Sequence, residues 1–199
     1  MYTIEFYKNK SPIDGFGIFA GEFVPVGTIV YYCGNEDTIL SKSEFQSLPR
    51  EKQEHLFING AEDEAGNWLV TDGDANHSCN SNILSIFVDN IYCDIAVKDI
   101  DKDEEITLDY GLLYSSFPWR MECKCGSPNC RKIIELGRPV DPQTQHLWHL
   151  RISDASRRIF NVKQKLFYMD DEKAKALTES IKSKPDPVVF PYIKFTLVS

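Results

Sequence analysis

Apolar residues between Met1 and about Val30 come in short runs, broken by Asn9-Lys10-Ser11-Pro12, Asp14-Gly15, Gly17, Pro25 and Gly27. No long helix fits such a pattern, which predicts short strands and tight turns. Ser41 with Glu44 three residues later forms a capping-box pair, and Phe45 and Leu48 fall on one face of the helix it predicts. Pro49 should kink or end that helix. Leu56 to Asp72 reads as two short strands around the acidic turn Glu62-Asp63-Glu64-Ala65-Gly66-Asn67, and Gly73 to Asn82 as polar loop. Ile83 to Val97 is rich in Ile, Phe, Val and Tyr, with Asp89-Asn90 placed as a hairpin tip, and Glu105 to Tyr110 alternates like one more strand. Up to about Gly111 the pattern is mainly β.

Helical periodicity takes over from about His146 to Tyr168 and again from Asp170 to Ile181. Pro185, Pro187 and Pro191 then punctuate an apolar finish at Val188-Val189-Phe190 and Ile193 to Val198, read as a docked extension or an interface strand, with a homodimer through this extension as one outcome. A chain of 199 residues suits one domain with an appended tail.

Composition narrows the function classes. At 42% apolar and 26% charged residues the chain is of ordinary globular type. A net charge of -8 opposes direct nucleic-acid binding, which depends on clustered Lys and Arg, and favours a basic polypeptide as partner. No window reaches the roughly 18 apolar residues of a membrane span, and the start Met1-Tyr2-Thr3-Ile4-Glu5-Phe6 lacks a secretory pattern, so an intracellular setting is expected.

Four segments carry candidate chemistry. Gly15-Phe16-Gly17-Ile18-Phe19-Ala20 formally matches a dinucleotide-binding fingerprint, but Pro12 before it and Pro25 with Gly27 after it deny the required strand-to-helix setting. It reads instead as a hairpin turn where backbone can approach a ligand closely. Asn76-His77-Ser78-Cys79-Asn80-Ser81-Asn82 is a polar loop whose His and Cys suit ligand or metal contact. Glu104 to Gly111 ends a strand at Tyr110, which taken alone is a half-buried core aromatic. Cys123, Cys125 and Cys130, joined by a Gly-Ser-Pro-Asn turn, suit tetrahedral zinc, a site that wants a fourth ligand. Cys33, Cys79, Cys93 or a histidine can each supply it by spacing, and reduced cysteines without metal are the bland alternative.

In this order the segments resemble the SET-domain protein lysine methyltransferase family with a cysteine-rich post-SET segment. Gly15-Phe16-Gly17 is similar to its Gly-x-Gly turn, Tyr32-Cys33-Gly34 to its Tyr-x-Gly, and Asn76 to Asn82 to Asn-His-Ser-Cys-x-Pro-Asn. Glu105 to Gly111 is similar to Glu-Leu-x-x-Asp-Tyr-Gly and Cys123 to Arg131 to Cys-x-Cys-Gly-Ser-x-x-Cys-Arg, so the likeness covers roughly residues 3 to 134. Two departures stand out: Gly73-Asp74-Ala75 replaces the Arg-Phe and apolar residue before Asn76, and Ser81 replaces a proline.

The resemblance implies a mainly β fold of several small sheets, in which the Asn-His and Asp-Tyr-Gly segments thread as a pseudoknot. A SET domain is expected over 1-115, a zinc-binding post-SET segment over 116-135 and a helical C-terminal extension over 136-199. It also implies S-adenosylmethionine as cofactor, held by Phe16, Gly17, Asn76, His77 and Tyr110, and a structural zinc on Cys79, Cys123, Cys125 and Cys130. Tyr110 is the implied catalytic tyrosine, with Tyr32 orienting the incoming amine and Leu108 lining the substrate channel. Leu108, where the family often carries Phe or Tyr, suggests that more than one methyl can be added. The implied substrate is a lysine-bearing protein, such as a histone tail, and the implied location is the nucleus in a eukaryote or otherwise the cytoplasm. The rival reading is a catalytically weak or inactive SET-like module that binds peptide or scaffolds a complex.

Overall fold

The computed structural model describes residues 1–34, 38–58, 60–62, 66–70, 75–89, 91–113, 119–136 and 140–184. Most of the early chain is strand: β1 (Phe6–Lys10), β2 (Phe16–Ala20), β3 (Ile29–Tyr32) and β4 (Thr38–Leu40). Two helices follow, α1 (Lys42–Ser47) and α2 (Arg50–Ile58). Next come β5 (Gly60–Glu62), β6 (Trp68–Val70), β7 (Asn76–His77), β8 (Ile83–Val88), β9 (Ile91–Ala96) and β10 (Glu105–Leu108). After them lie β11 (Trp119–Glu122), β12 (Ile133–Leu136), α3 (Pro142–Arg158) and α4 (Glu172–Lys182).

Local chemistry explains the element ends. The hairpin turn between β1 and β2 spans residues 11–15, with Gly15 at φ +48° and Ser11 N–H donating to the Gly15 carbonyl at 3.0 Å, so Phe16 and Gly17 open β2, paired with Lys10 and Asn9. Asp89 sits at φ +47° at the tip joining β8 to β9, where an Asp tolerates the left-handed region. Ser41 and Glu44 form the capping box of α1, and Pro49 ends it. The expected strand at Leu56 is instead the last turn of α2, because the chain re-enters a helix directly after Pro49, where proline suits the entry. The two short strands appear later, as β5 and β6, and residues 63–65 of their turn lie outside the described residues, as do Gly73, Asp74, Asn90 and the finish from Pro185 onward.

The strands fall into three sheets: a seven-stranded one in the order β1-β2-β10-β8-β9-β3 with β7 paired to β10, a β4-β6-β5 sheet, and a β11-β12 pair. The helical region packs on the large sheet rather than standing apart from it. Trp148, Ile152, Ala155, Ile159, Leu166, Ala174, Leu177 and Ile181 share one core cluster with Ile29, Leu84, Ile86 and Ile95. Helix α3 starts four residues before its expected place, because Asp141 caps it by accepting from Thr144 N–H and Pro142 fits its first turn. It ends at Arg158, and the stretch read as more helix contains two 3-10 turns, Ile159–Asn161 and Lys165–Tyr168. Between them, buried Gln164 accepts from Ile29 N–H at 3.0 Å and donates to the Gly27 carbonyl at 2.8 Å. That side chain fills the hydrogen bonds left open where β3 departs from its register with β9.

One buried acid gives the fold a pH dependence. Asp94 on β9 is only 6% exposed, and the Ser85 hydroxyl donates to it at 2.8 Å. Burial pushes its pKa up to about 6, although its hydrogen bonds pull the other way. Because the native value lies above the unfolded one, neutral Asp94 stabilises the fold fully below about pH 4, and that contribution is lost as the pH rises through about 6. A shift of roughly two units corresponds to about 3 kcal/mol. Asp94→Asn should therefore be more stable than the parent at about pH 8, with the gap closing towards about pH 4 in urea midpoints; a gap independent of pH would contradict this.

Candidate active site

Strands β7 and β10 bring two distant segments side by side in parallel, Asn76 opposite Thr107 and His77 opposite Leu108. Ser78 N–H donates to the Leu108 carbonyl at 3.0 Å, and Tyr110 N–H donates to His77 Nδ1 at 3.1 Å. An accepting Nδ1 assigns the ring proton to Nε2, which lies 3.4 Å from the Cys79 sulfur. Burial holds the His77 pKa down at about 4 against the pull of Asp109, so the ring is neutral near pH 7. Tyr110 in turn donates its hydroxyl to the Ala75 carbonyl at 2.8 Å, which fixes the direction of its phenol oxygen.

Asn76 holds the glycine turn. Its amide donates to the Phe16 and Asp14 carbonyls at 3.1 Å each and to Glu105 Oε1 at 2.8 Å, and the other Glu105 oxygen accepts from Ser11 at 3.0 Å. A side chain at Gly17 would run into this arrangement, meeting Asn76 Nδ2 at 2.9 Å and Glu105 Oε1 still closer. The Phe16 ring, 75% exposed, stands beside it as a bare flat surface.

A buried carboxylate ties the site to the rest of the chain. Asp109 is 1% exposed and accepts from Gly111 N–H at 3.0 Å, from the Arg131 guanidinium and from Trp148 Nε1 at 3.0 Å. Arg131 also donates to the Cys79 sulfur through its backbone N–H at 3.3 Å and through Nε at 3.5 Å. Cys79, Cys123, Cys125 and Cys130 place their sulfurs within 4.8 Å of one another, and Cys79 and Cys123 are 3.8 Å apart. Sulfurs about 2.3 Å from a tetrahedral zinc would be separated by about 3.8 Å, so the donor set fits that ion. Hydrogen bonds from Ser127 pull the Cys125 thiol below its ordinary value against burial, whereas burial pushes the Cys79 and Cys123 thiols up. The other cysteines proposed by spacing are elsewhere: Cys93 is fully buried in the main core and Cys33 sits in an aromatic cluster with Tyr31 and Tyr92.

Residues 15–111 match the family model of the SET domain. The chain carries a SET domain. It is 29% identical over 141 residues to the histone-lysine N-methyltransferase trr of Drosophila melanogaster, covering 63% of this chain and 6% of that protein. It is 32% identical over 147 residues to the histone-lysine N-methyltransferase ATX2 of Arabidopsis thaliana, covering 63% of this chain and 12% of that protein. The crystal structure of the methyltransferase domain of human histone-lysine N-methyltransferase SETMAR overlays with a TM-score of 0.48 at 22% identity, over 67% of this chain and 58% of that one. The chain thus spans only a small part of the length of these two curated relatives.

The expected site residues separate into two groups. Phe16, Gly17, Asn76, His77 and Tyr110 come together around the β7–β10 pairing, and the four expected cysteines cluster beside them. Leu108 is 7% exposed and packs in the core cluster that Tyr110 and Ala75 border. Tyr32 lies apart from this group: it is fully buried in the other core cluster, and its hydroxyl donates to Asp171 at 3.2 Å, beneath the N-terminus of α4. The helical extension competes for that hydroxyl, which sequence motifs before residue 135 do not register. Glu62, the last residue of β5, is 6% exposed and so offers little charge to a substrate. Asp109 and Arg131 stand in the sequence as motif letters without a role, and Trp148 falls unmarked inside the helical stretch from about His146.

Gly17→Ala should leave the β1–β2 hairpin formed but displace Asn76 or Glu105, costing about 1–3 kcal/mol of stability in chemical denaturation. An unchanged midpoint would show that the turn is looser than its contacts suggest.

Proposed function

We propose that this chain is an S-adenosylmethionine-dependent protein-lysine N-methyltransferase, acting on a lysine-rich protein segment such as a histone tail. The observation that carries this reading is the meeting of the Tyr110 hydroxyl with the Ala75 carbonyl, one residue before the Asn76-His77 pair, at the end of parallel strands. Phe16 offers a flat ring, and the glycine turn offers backbone that approaches without a Cβ in the way; together with Asn76 and His77 they fit the cofactor. When bound, the cofactor supplies an electrophilic methyl on a sulfonium. Neutral His77 and Asn76 hold the loop by hydrogen bonds that do not depend on pH near neutrality.

Tyr110 is assigned to alignment and transition-state stabilisation, since orientation of two reactants can account for several kcal/mol of a barrier. An attacking lysine with an ordinary pKa of about 10.4 must lose a proton, which costs about 4 kcal/mol at pH of about 7.4. Apolar surroundings such as Leu108 disfavour the ammonium and supply part of that difference. Zinc on Cys79, Cys123, Cys125 and Cys130 is assigned a structural role, fixing the post-SET segment to the Asn-His loop through Cys79. The net charge of -8 supports a basic partner, and similarity to histone-lysine methyltransferases supports a nuclear location if the source is a eukaryote. Among the described residues no helix is long and apolar enough to cross a membrane. Burial of Tyr32 against Asp171 favours one second reading, a weak or inactive SET-like module that binds peptide.

Purified protein should bind S-adenosylmethionine in calorimetry and transfer labelled methyl to core histones. Tyr110→Phe should keep binding within a few fold while lowering methyl transfer by a factor on the order of 100, as expected for a group acting on the transition state. Cofactor binding without transfer would favour the peptide-binding module, and absence of both would overturn the assignment.

A further inference from the structure

Helix α3 lies outside the matched SET domain, yet one of its faces reaches both segments of the site. Trp148 donates to Asp109 at 3.0 Å, and three residues on, Arg151 donates to the Ser81 carbonyl. Residues three apart share a helix face, so the two hooks act in one direction. They pull on the Asp-Tyr-Gly segment and on the Asn-His loop at the position where Ser81 replaces the proline of related loops. Ser81 is fully buried and its hydroxyl has no hydrogen-bond partner among the described residues, so its own side chain does not anchor the loop to them.

We propose that Trp148 and Arg151 are positioning residues for Tyr110: α3 holds the two paired segments in the alignment that the tyrosine needs. This rests on the methyltransferase reading for its catalytic consequence, but the mechanical part stands on geometry alone. Asp109 and Tyr110 are chain neighbours, and the Trp148 ring also closes the space over Gly111. A Cβ there would lie 3.3 Å from the ring and 2.7 Å from Arg131 Nη1. Holding Asp109 and Gly111 on both sides of Tyr110 fixes the backbone that aims its hydroxyl at Ala75. Trp148 is 2% exposed and so acts on the site without touching solvent or any substrate.

The test uses the full chain with Trp148 replaced by 3-benzothienylalanine, which keeps the ring shape and removes the N–H donor, and Trp148→Phe and Arg151→Met as genetically simpler variants. Leu150→Ala, on the exposed side of the same helix, is the control. In hydrogen exchange, the Tyr110 and Gly111 amides should exchange at least about tenfold faster in the benzothienyl variant, a change equivalent to about 1.4 kcal/mol, and stay at parent rates in Leu150→Ala. In methyl transfer, kcat should fall about tenfold while KM for cofactor and for histone peptide stays within about twofold. Unchanged exchange at Tyr110 and Gly111 overturns the proposal whether or not the parent is active. Faster exchange in an inactive parent supports the positioning and counts against the methyltransferase reading. Faster exchange with kcat unchanged in an active parent overturns the catalytic consequence.

Discussion

A single carboxylate with almost no access to water sets the terms for the rest of this molecule. Asp109 cannot be buried without donors, because an unpaired charge in the interior costs several kcal/mol. Its donors come from three places in the chain: the turn it begins, the cysteine-rich segment through Arg131, and α3 through Trp148. The cysteine-rich segment and helix α3 are thereby obliged to close on the end of β10. A fold that let either one drift away would leave the charge stranded.

That obligation links the metal-type cluster to the tyrosine. Arg131 faces Asp109 on one side and the Cys79 sulfur on the other, and Cys79 also neighbours His77 Nε2. His77 accepts from Tyr110 N–H, so cysteine, arginine, aspartate, tyrosine and histidine form a closed ring of contacts. An ion held by the four thiols would brace this ring from outside the reaction site. The long helices contribute in the same sense, since α3 and α4 fill one side of the sheet core rather than decorating it.

Much of this was legible in the residues. The turn ending at Gly15, the capping box at Ser41, the β8–β9 hairpin and the Cys123-Cys125-Cys130 group follow from local chemistry, which acts through near neighbours and leaves marks in short windows, whereas Cys79 stands 44 residues before Cys123 and was singled out only through the resemblance to a family. Helix α2 was hidden because its pattern is only weakly amphipathic and its apolar residues near Leu56 mimic a strand. The setting of Tyr32 was hidden for a different reason: Asp171, which takes its hydroxyl, lies 139 residues away in sequence. Trp148 is the same case, a side chain whose partner is chosen by packing between elements that no window spans.

The central claim is that Asp109 and Arg131 depend on each other, and a double-mutant cycle on stability measures this directly. Asp109→Asn, Arg131→Met and the double variant would be unfolded in urea with the zinc content of each sample held equal. The expected coupling energy is at least about 2 kcal/mol, since each single change strands a buried or half-buried charge. Single effects that add to within about 0.5 kcal/mol would contradict it.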